Sequence, residues 1–286
     1  MRSGFVTFVG RPNVGKSTLL NTILGTKVSI VSDKPQTTRT PVRGVLTLRP
    51  GPPPTPPDAQ VVFVDTPGIH KPKTTLGQRL NDTATGSIGG VDVVCLVLDA
   101  TMPLGRGDRY VAERVPHDSI VVVNKVDVAS PAQVLQQLRR ASDLDLSEYF
   151  PLSAVTGEGV PALVDALVAR LPEGPQLYPD GMVTDVPEAF WVAELVREQL
   201  FAVLREELPY SVACVVTEWE WPRIRCEILV ERDSQKGIVI GRRGSVLKAV
   251  GIAVREQLPE GAYLELVVKI DANWQRRPKA LERLGY

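Results

Sequence analysis

Between residues 4 and 171 the chain alternates two hydrophobic patterns. FVTFV (5–9), VVFVD (61–65), VVCLVLD (93–99) and IVVVN (120–124) are apolar runs rich in β-branched residues, as expected of strands covered on both faces of a sheet. TLGQRLNDTATGSI (75–88), GDRYVAERV (107–115), PAQVLQQLRRAS (131–142) and VPALVDALVARL (160–171) repeat apolar positions at three- and four-residue spacing. That spacing predicts amphipathic helices, one of them starting at Pro131, where a first-turn residue needs no N–H. Strand and helix in alternation predict an α/β domain with a mainly parallel sheet and right-handed crossovers.

Two segments interrupt the pattern. RPGPPPTPPD (49–58) is too rich in proline for a central strand, because proline offers no ladder hydrogen bond. It reads as a stiff solvent loop joining strands at 42–48 and 59–65, with a proline-binding partner as the alternative. LPEGPQLYPDGMVTDVPE (171–188), rich in proline, glycine and acid, reads as a linker. Beyond it the order changes to a long helix (189–208), strands 211–221 and 224–232, an apolar and basic stretch around IGRRG, a strand at 263–270 and a closing basic helix. The order α, β, β, α, α, β predicts a separate α+β unit.

Length and composition narrow the picture. At 286 residues the chain exceeds a typical domain of roughly 100 to 200, so two domains are expected. Net charge is zero, so any surface attracting nucleic acid must be local. Three cysteines, Cys95, Cys214 and Cys226, have no metal spacing and read as core or strand residues of a reducing compartment, and His70 and His117 are too far apart in sequence for a zinc site. The N-terminus leads straight into a strand without signal-peptide character, and no apolar run approaches about 18 residues. A soluble, cytoplasmic protein is the expectation.

The candidate chemistry lies at the strand ends. GRPNVGKS (Gly10, Arg11, Pro12, Asn13, Val14, Gly15, Lys16, Ser17) follows the first strand and, with Thr18, opens the helix STLLNTILG. Glycines at this spacing let backbone N–H groups wrap phosphate oxygens at a helix N-terminus. Lys16 is expected to reach the β- and γ-phosphates and Ser17 to bind magnesium. DTPG (Asp65, Thr66, Pro67, Gly68) ends another strand; Asp65 is suited to hold the magnesium and the Gly68 N–H to meet the γ-phosphate. In QTTRT (36–40), Thr38 is the expected third magnesium ligand, released after hydrolysis, and Thr37 is the neighbour that could take its place.

NKVD (Asn124, Lys125, Asp127) follows IVVVN. A carboxylate there can accept two hydrogen bonds from guanine, whereas adenine offers no matching donor pair, so GTP is expected over ATP. SAVTG, through Ser153, Ala154 and Val155, is assigned to the base, with the Ala154 N–H on the guanine oxygen.

In the second half, Gly241, Arg242, Arg243 and Gly244 form a G-x-x-G between an apolar turn and a helix. Its glycines admit a nucleic-acid strand, its arginines meet phosphates, and an apolar groove takes bases. Lys236, Arg242, Arg243, Lys248 and Arg255 fall in one stretch without an acidic residue, although residues 187–286 balance at 15 basic against 15 acidic. Lys236, Ile240, Gly241–Gly244 and Lys248 are the expected RNA contacts. Trp274 is expected to pack against its domain rather than stack on a base, and Trp191, Trp219 and Trp221 read as core or strand-surface residues.

GRPNVGKS, PQTTR, DTPGIH, NKVD and SAVTG, in that order, followed by LPYSV and IGRRGSVLK, resemble the Era family of GTPases over nearly the whole chain. The resemblance implies an α/β P-loop GTPase domain (1–172), a linker (173–188) and an α+β type II KH domain (189–286). It also implies a role in small-subunit ribosome assembly through the 3′ region of 16S ribosomal RNA, with GTP, GDP and magnesium as ligands and slow intrinsic hydrolysis. Where Ras-like enzymes carry glutamine the chain has Ile69, as the family leads one to expect; isoleucine has no donor or acceptor for the attacking water. Main-chain groups, a partner or a bound ion must hold it, and Asn13 resembles the asparagine with which related GTPases hold K⁺, the alternative being that Asn13 only shapes the loop. A monomer is expected. Peripheral association with the inner face of the cell membrane is a family-level expectation that neither charge nor a lipidation motif supports. A non-hydrolysing RNA scaffold with structural GTP is the competing class.

Overall fold

The computed structural model of the chain describes residues 1–49, 58–69, 72 and 74–286. The proline-rich loop therefore lies almost wholly outside the described residues, as does His70. The described chain divides into two compact units. The first holds Met1–Ser29 and the chain from Thr38 to Asp185 apart from 74–78; the second holds Ile30–Thr37, 74–78 and Val186–Tyr286.

The first unit is an α/β layer structure. Its strands are β1 (Arg2–Val9), β2 (Val42–Leu48), β3 (Ala59–Asp65), β4 (Val93–Asp99), β5 (Ile120–Asn124) and β6 (Glu148–Pro151). They form one sheet in the order β2-β3-β1-β4-β5-β6, parallel throughout except that β2 runs antiparallel to β3. The helices are α1 (Lys16–Leu24), α2 (Thr75–Gly86), which belongs to this unit from Arg79 on, α3 (Arg106–Ala112), α4 (Pro131–Ser142) and α5 (Val160–Arg170). α4 starts where the sequence predicts: the Ser130 hydroxyl accepts the Gln133 N–H, the Gln133 side chain returns to the Ser130 N–H, and Pro131 occupies the first turn. The runs read as doubly covered strands are buried except at Phe5, Val64 and Asp99, which are half-buried; every residue of β5 is buried. The order of strands reverses around β1, and ligands of open α/β sheets bind outside the carboxyl ends of the strands at such a point.

Residues 173–185, read from sequence as linker, are bonded along the first unit. Gly174 N–H donates to Met1 O (3.1 Å) and Val45 N–H to Val183 O (2.7 Å). The buried Gln60 side chain accepts the Leu177 and Tyr178 N–H groups (2.7 and 2.8 Å), and Asp185 pairs with Arg43 (3.0 Å). Composition marked the segment as irregular, which it is, but irregular backbone can still be held strand-like by a buried amide.

The second unit contains α6 (Glu188–Val203), α7 (Leu208–Ser211), β7 (Ala213–Glu220), β8 (Arg223–Val230), α8 (Asp233–Ile240), α9 (Ser245–Arg255), β9 (Tyr263–Ile270) and α10 (Pro278–Arg283). Its sheet has the order β7-β8-β9, β7 antiparallel and β9 parallel to β8. Leu195 and Leu200 of α6, Ile228 of β8, Val239 of α8, Val250 and Val254 of α9 and Val268 of β9 share one buried cluster. Trp274 is fully buried and donates its indole N–H to Ser211 O (3.0 Å), the packing role expected of it. Trp219 and Trp221 are exposed.

One helix is shorter than the periodicity predicts. The expected helix through residue 208 stops at Val203, and Leu204 is extended (φ −81°, ψ 153°). Lys34 donates to the carbonyls of Phe201 and Leu204, taking acceptors that a further turn would use, and Pro209 has no N–H to continue the ladder. Among the described residues no helix is long and apolar enough to cross a membrane.

Candidate nucleotide and RNA sites

The parallel register brings the loops after β1, β3, β5 and β6 to one edge of the sheet. Gly10–Gly15 joins β1 to α1 with left-handed backbone at Asn13 (φ 65°) and Gly15 (φ 97°). A Cβ on Gly15 would lie 2.2 Å from Asn124 Nδ2, and one on Gly68 2.7 Å from Pro12 N. These positions are closed to any side chain, and they keep the loop's main chain bare. Lys16, 7% exposed, points into the loop, where its ammonium donates to Gly10 O (3.3 Å) and Arg11 O (3.0 Å). Burial lowers its pKa to about 8 against the opposing pull of Asp65.

Three hydroxyls converge on one carboxylate. Ser17 Oγ lies 2.7 Å and Thr38 Oγ1 3.2 Å from Asp65 Oδ2, and the two are 3.0 Å apart. Ser29 Oγ donates to the same oxygen at 2.7 Å. Thr37 is turned elsewhere, donating to Lys34 O (2.6 Å); of the two threonines, Thr38 joins this cluster. The other carboxylate oxygen, Asp65 Oδ1, is buried with no hydrogen-bond partner among the described residues. A buried carboxylate with one oxygen dry and the other shared by the Ser17 and Thr38 hydroxyls suits a hard cation with oxygen ligands, so these residues fit magnesium.

Thr66 donates to Phe8 O (3.1 Å), and the Ile69 N–H reaches Gly10 O (3.2 Å). The Ile69 side chain, 2% exposed, packs in the cluster of Val9, Val94 and Leu96. It is a core residue. The sequence could only say that isoleucine has nothing with which to hold water.

At the other end, Asn124 is a hub. Its Nδ2 donates to Val14 O (2.8 Å), and its Oδ1 accepts the N–H groups of Lys125 (2.8 Å) and Ala154 (2.9 Å). The Ala154 N–H, assigned from sequence to the guanine oxygen, is here bonded to Asn124. Ser153 is buried and accepts the Thr156 N–H (3.1 Å), while Val155 is 73% exposed. Asp127 is exposed on the turn after β5. Lys125 pairs with Asp99 (2.6 Å), a residue that sequence reasoning missed. Burial opposes charge on Asp99, but the bonds from Lys125 and Thr101 outweigh it and hold its pKa below the ordinary value. Its signal was available: like Asp65, it is the acid ending a buried parallel strand.

In the second unit, Gly241–Gly244 connects α8 to α9 through left-handed Arg243 (φ 53°) and Gly244 (φ 76°). A Cβ on Gly241 would lie 2.8 Å from Val246 N. Arg242, Arg243 and Lys248 are exposed, whereas Lys236 and Ile240 are half-buried, and Ile240 packs against the core. The loop offers two guanidinium groups on a tight main-chain turn.

A phosphate loop opening α1, an acid and glycine after β3 and NKVD after β5, joined to a G-x-x-G inside α-β-β-α-α-β, define a P-loop GTPase carrying a KH domain. Residues 5–125 match the family described as 50S ribosome-binding GTPase, and residues 207–275 match the KH domain. The chain is 45% identical to the GTPase Era of Nocardioides sp. over 100% of its own length and 96% of that protein. It is 46% identical to that of Mycobacterium sp. strain JLS over 100% and 99%. It also superposes, at a TM-score of 0.91 and 38% identity, on a point variant of Aquifex aeolicus Era bound to GDP and AlF4⁻, covering 100% of this chain and 99% of that one. A structure of Era with MgGDPNP and nucleotides 1506–1542 of 16S ribosomal RNA gives 0.91 and 39% over the same shares. The chain belongs to the Era family, and it is a GTPase.

Proposed function

We propose that this GTPase binds the 3′ region of 16S ribosomal RNA through its KH domain and assists small-subunit maturation in the cytoplasm, with GTP hydrolysis as its timer. The observation that carries the reading is the full-length likeness to an Era structure holding both MgGDPNP and a 16S fragment. The exposed Arg242 and Arg243 on a tight turn, where Gly241 has no room for a Cβ, support it. Such a turn can lie against a phosphodiester backbone.

In the proposed reaction water attacks the γ-phosphate and the bond to the β-phosphate oxygen breaks. Gly10–Thr18 wraps the phosphates with N–H groups, and Lys16 exchanges its two carbonyl partners for phosphate oxygens. Magnesium, held by Ser17, Thr38 and Asp65, supplies charge neutralisation when bound. Gly68 offers its N–H to the γ-phosphate; Thr66 holds that turn against β1, and Pro67 leads from it to Gly68. Asp127 selects guanine, while Asn124, Lys125, Ser153, Ala154 and Val155 form the frame around the base, tied together through Asn124. Because Ile69 is packed in the core, the water is left to main-chain groups and to a cation at Asn13. Hydrolysis is therefore expected to be faster in KCl than in NaCl, and Asn13→Ala to erase the difference; equal rates for the parent chain rule the cation out.

Crosslinking the whole chain to RNA in GTP and in GDP, and sequencing what is bound, tests the RNA reading. Crosslinks are expected at the 3′ end of 16S RNA. Arg242→Asp with Arg243→Asp should weaken them by at least about tenfold, or 1.4 kcal/mol. Crosslinks scattered over the RNA, or unchanged in the double variant, contradict it. Phosphate release with and without small subunits separates the switch from a passive scaffold.

A further inference from the structure

Ser29 lies outside the motifs that mark the nucleotide site. In KVSIVS it looks like one polar position in an apolar alternation. It is 2% exposed, beside the buried Val28. Its main chain is clamped to α1: Asn21 Oδ1 accepts the N–H groups of Val28 and Ser29 (3.0 Å each), and Asn21 Nδ2 donates to Ser29 O (2.8 Å). Three bonds from one amide fix where the hydroxyl points, and it points at Asp65 Oδ2 (2.7 Å).

That oxygen is oversubscribed, for Ser17 and Thr38 also lie within hydrogen-bond distance of it, and a carboxylate oxygen has two lone pairs. Asp65 Oδ1 meanwhile is buried and has no partner among the described residues. Donors on one oxygen and none on the other leave the carboxylate with distinct faces.

We propose that Ser29 is a positioning residue of the magnesium site: its hydroxyl, set by Asn21, holds Asp65 by Oδ2 so that Oδ1 stays available to the cation and its water. The inference rests on the reading of Asp65 as the magnesium carboxylate. Ser17 and Thr38 have oxygens to spend on the ion; Ser29 keeps the carboxylate oriented while they do. Partners that orient a metal ligand are commonly worth 10–100-fold in metal affinity.

The test uses the full chain loaded with a fluorescent GDP analogue, stripped of metal with EDTA and titrated with magnesium, the dissociation rate of the nucleotide being the readout. Ser29→Ala is expected to raise the half-saturating magnesium concentration about tenfold or more, the loss appearing only in magnesium buffer. Ser29→Cys fills nearly the same space with a weak donor and should behave alike, which guards against a misfolded alanine variant. Asn21→Ala, which frees the backbone but keeps the hydroxyl, should give a smaller increase. Half-saturation within twofold of the parent in both Ser29 variants overturns the inference, as does an equal loss in EDTA and in magnesium, the mark of a merely structural role. A parent chain whose nucleotide retention ignores magnesium overturns the reading of Asp65 itself, and this inference with it.

Discussion

Lys16→Ala is expected to abolish measurable heat in a calorimetric titration with GDP or GTP while leaving the nucleotide-free chain as stable as before or more so. The two halves of that result have one cause. Lys16 is an ammonium kept almost dry, bonded to two main-chain carbonyls among the described residues, and burial has lowered its pKa to about 8 from 10.5. A lysine whose pKa falls on folding costs stability in full below the folded value. The cost fades as pH rises from about 8 towards the unfolded value. At neutral pH it amounts to about 3 kcal/mol at most, which alanine removes, against some lost packing of the lysine stem. Bound phosphate adds a counter-charge in direct contact, where Asp65 offsets the burial only in part. Deleting one partner of a buried charge pair costs about 3–5 kcal/mol, on the order of 10²- to 10³-fold or more in affinity. A variant that melts well below the parent without nucleotide, or that still binds GTP within tenfold, contradicts this account of the loop.

What could be read from the chain beforehand follows from how local the physics is. β1, β4 and β5 announce themselves because a doubly covered strand must be apolar at every position, and α4 because its cap, its proline and its spacing sit within a few residues. The proposed nucleotide residues stand out as motifs for a related reason: phosphate, magnesium and guanine each require particular atoms at short spacing. What was not legible depends on residues distant in sequence. The end of α6 at Val203 is tied to Lys34. The course of 173–185 is tied to Gln60. Asp99 acquires its part from Lys125, and Ser29 from Asn21 and Asp65. Ile69 shows the limit most plainly: its chemistry said what it cannot do, and only its place among Val9, Val94 and Leu96 says what it does.

In the proposed base site, Asn124 and Asp127 divide the work differently from what their shared motif suggests. Asn124 is buried, and its three bonds reach Val14, Lys125 and Ala154. It ties the phosphate loop to the loops after β5 and β6 and has little left for a ligand. Asp127, two residues past Lys125 and exposed, is therefore the side chain with which to change base preference without unmaking the site. A carboxylate accepts from both the ring N–H and the amino group of guanine. Asparagine at 127 keeps one acceptor for the ring N–H but sets an NH₂ against the amino group, so one charge-assisted bond is lost and two donors face each other. Xanthine carries an oxygen in place of that amino group and accepts from the new NH₂. Asp127→Asn is thus expected to weaken guanine nucleotides by about 3–4 kcal/mol, on the order of 10²- to 10³-fold, and to make xanthosine diphosphate the better ligand in direct competition. Fold and phosphate grip should be spared, because the hub is Asn124; xanthosine nucleotide should protect the variant against heat as well as GDP protects the parent chain. Retention of the parent's guanine preference in that competition would remove Asp127 from base recognition and pass the role to the main chain around Ala154 and Val155.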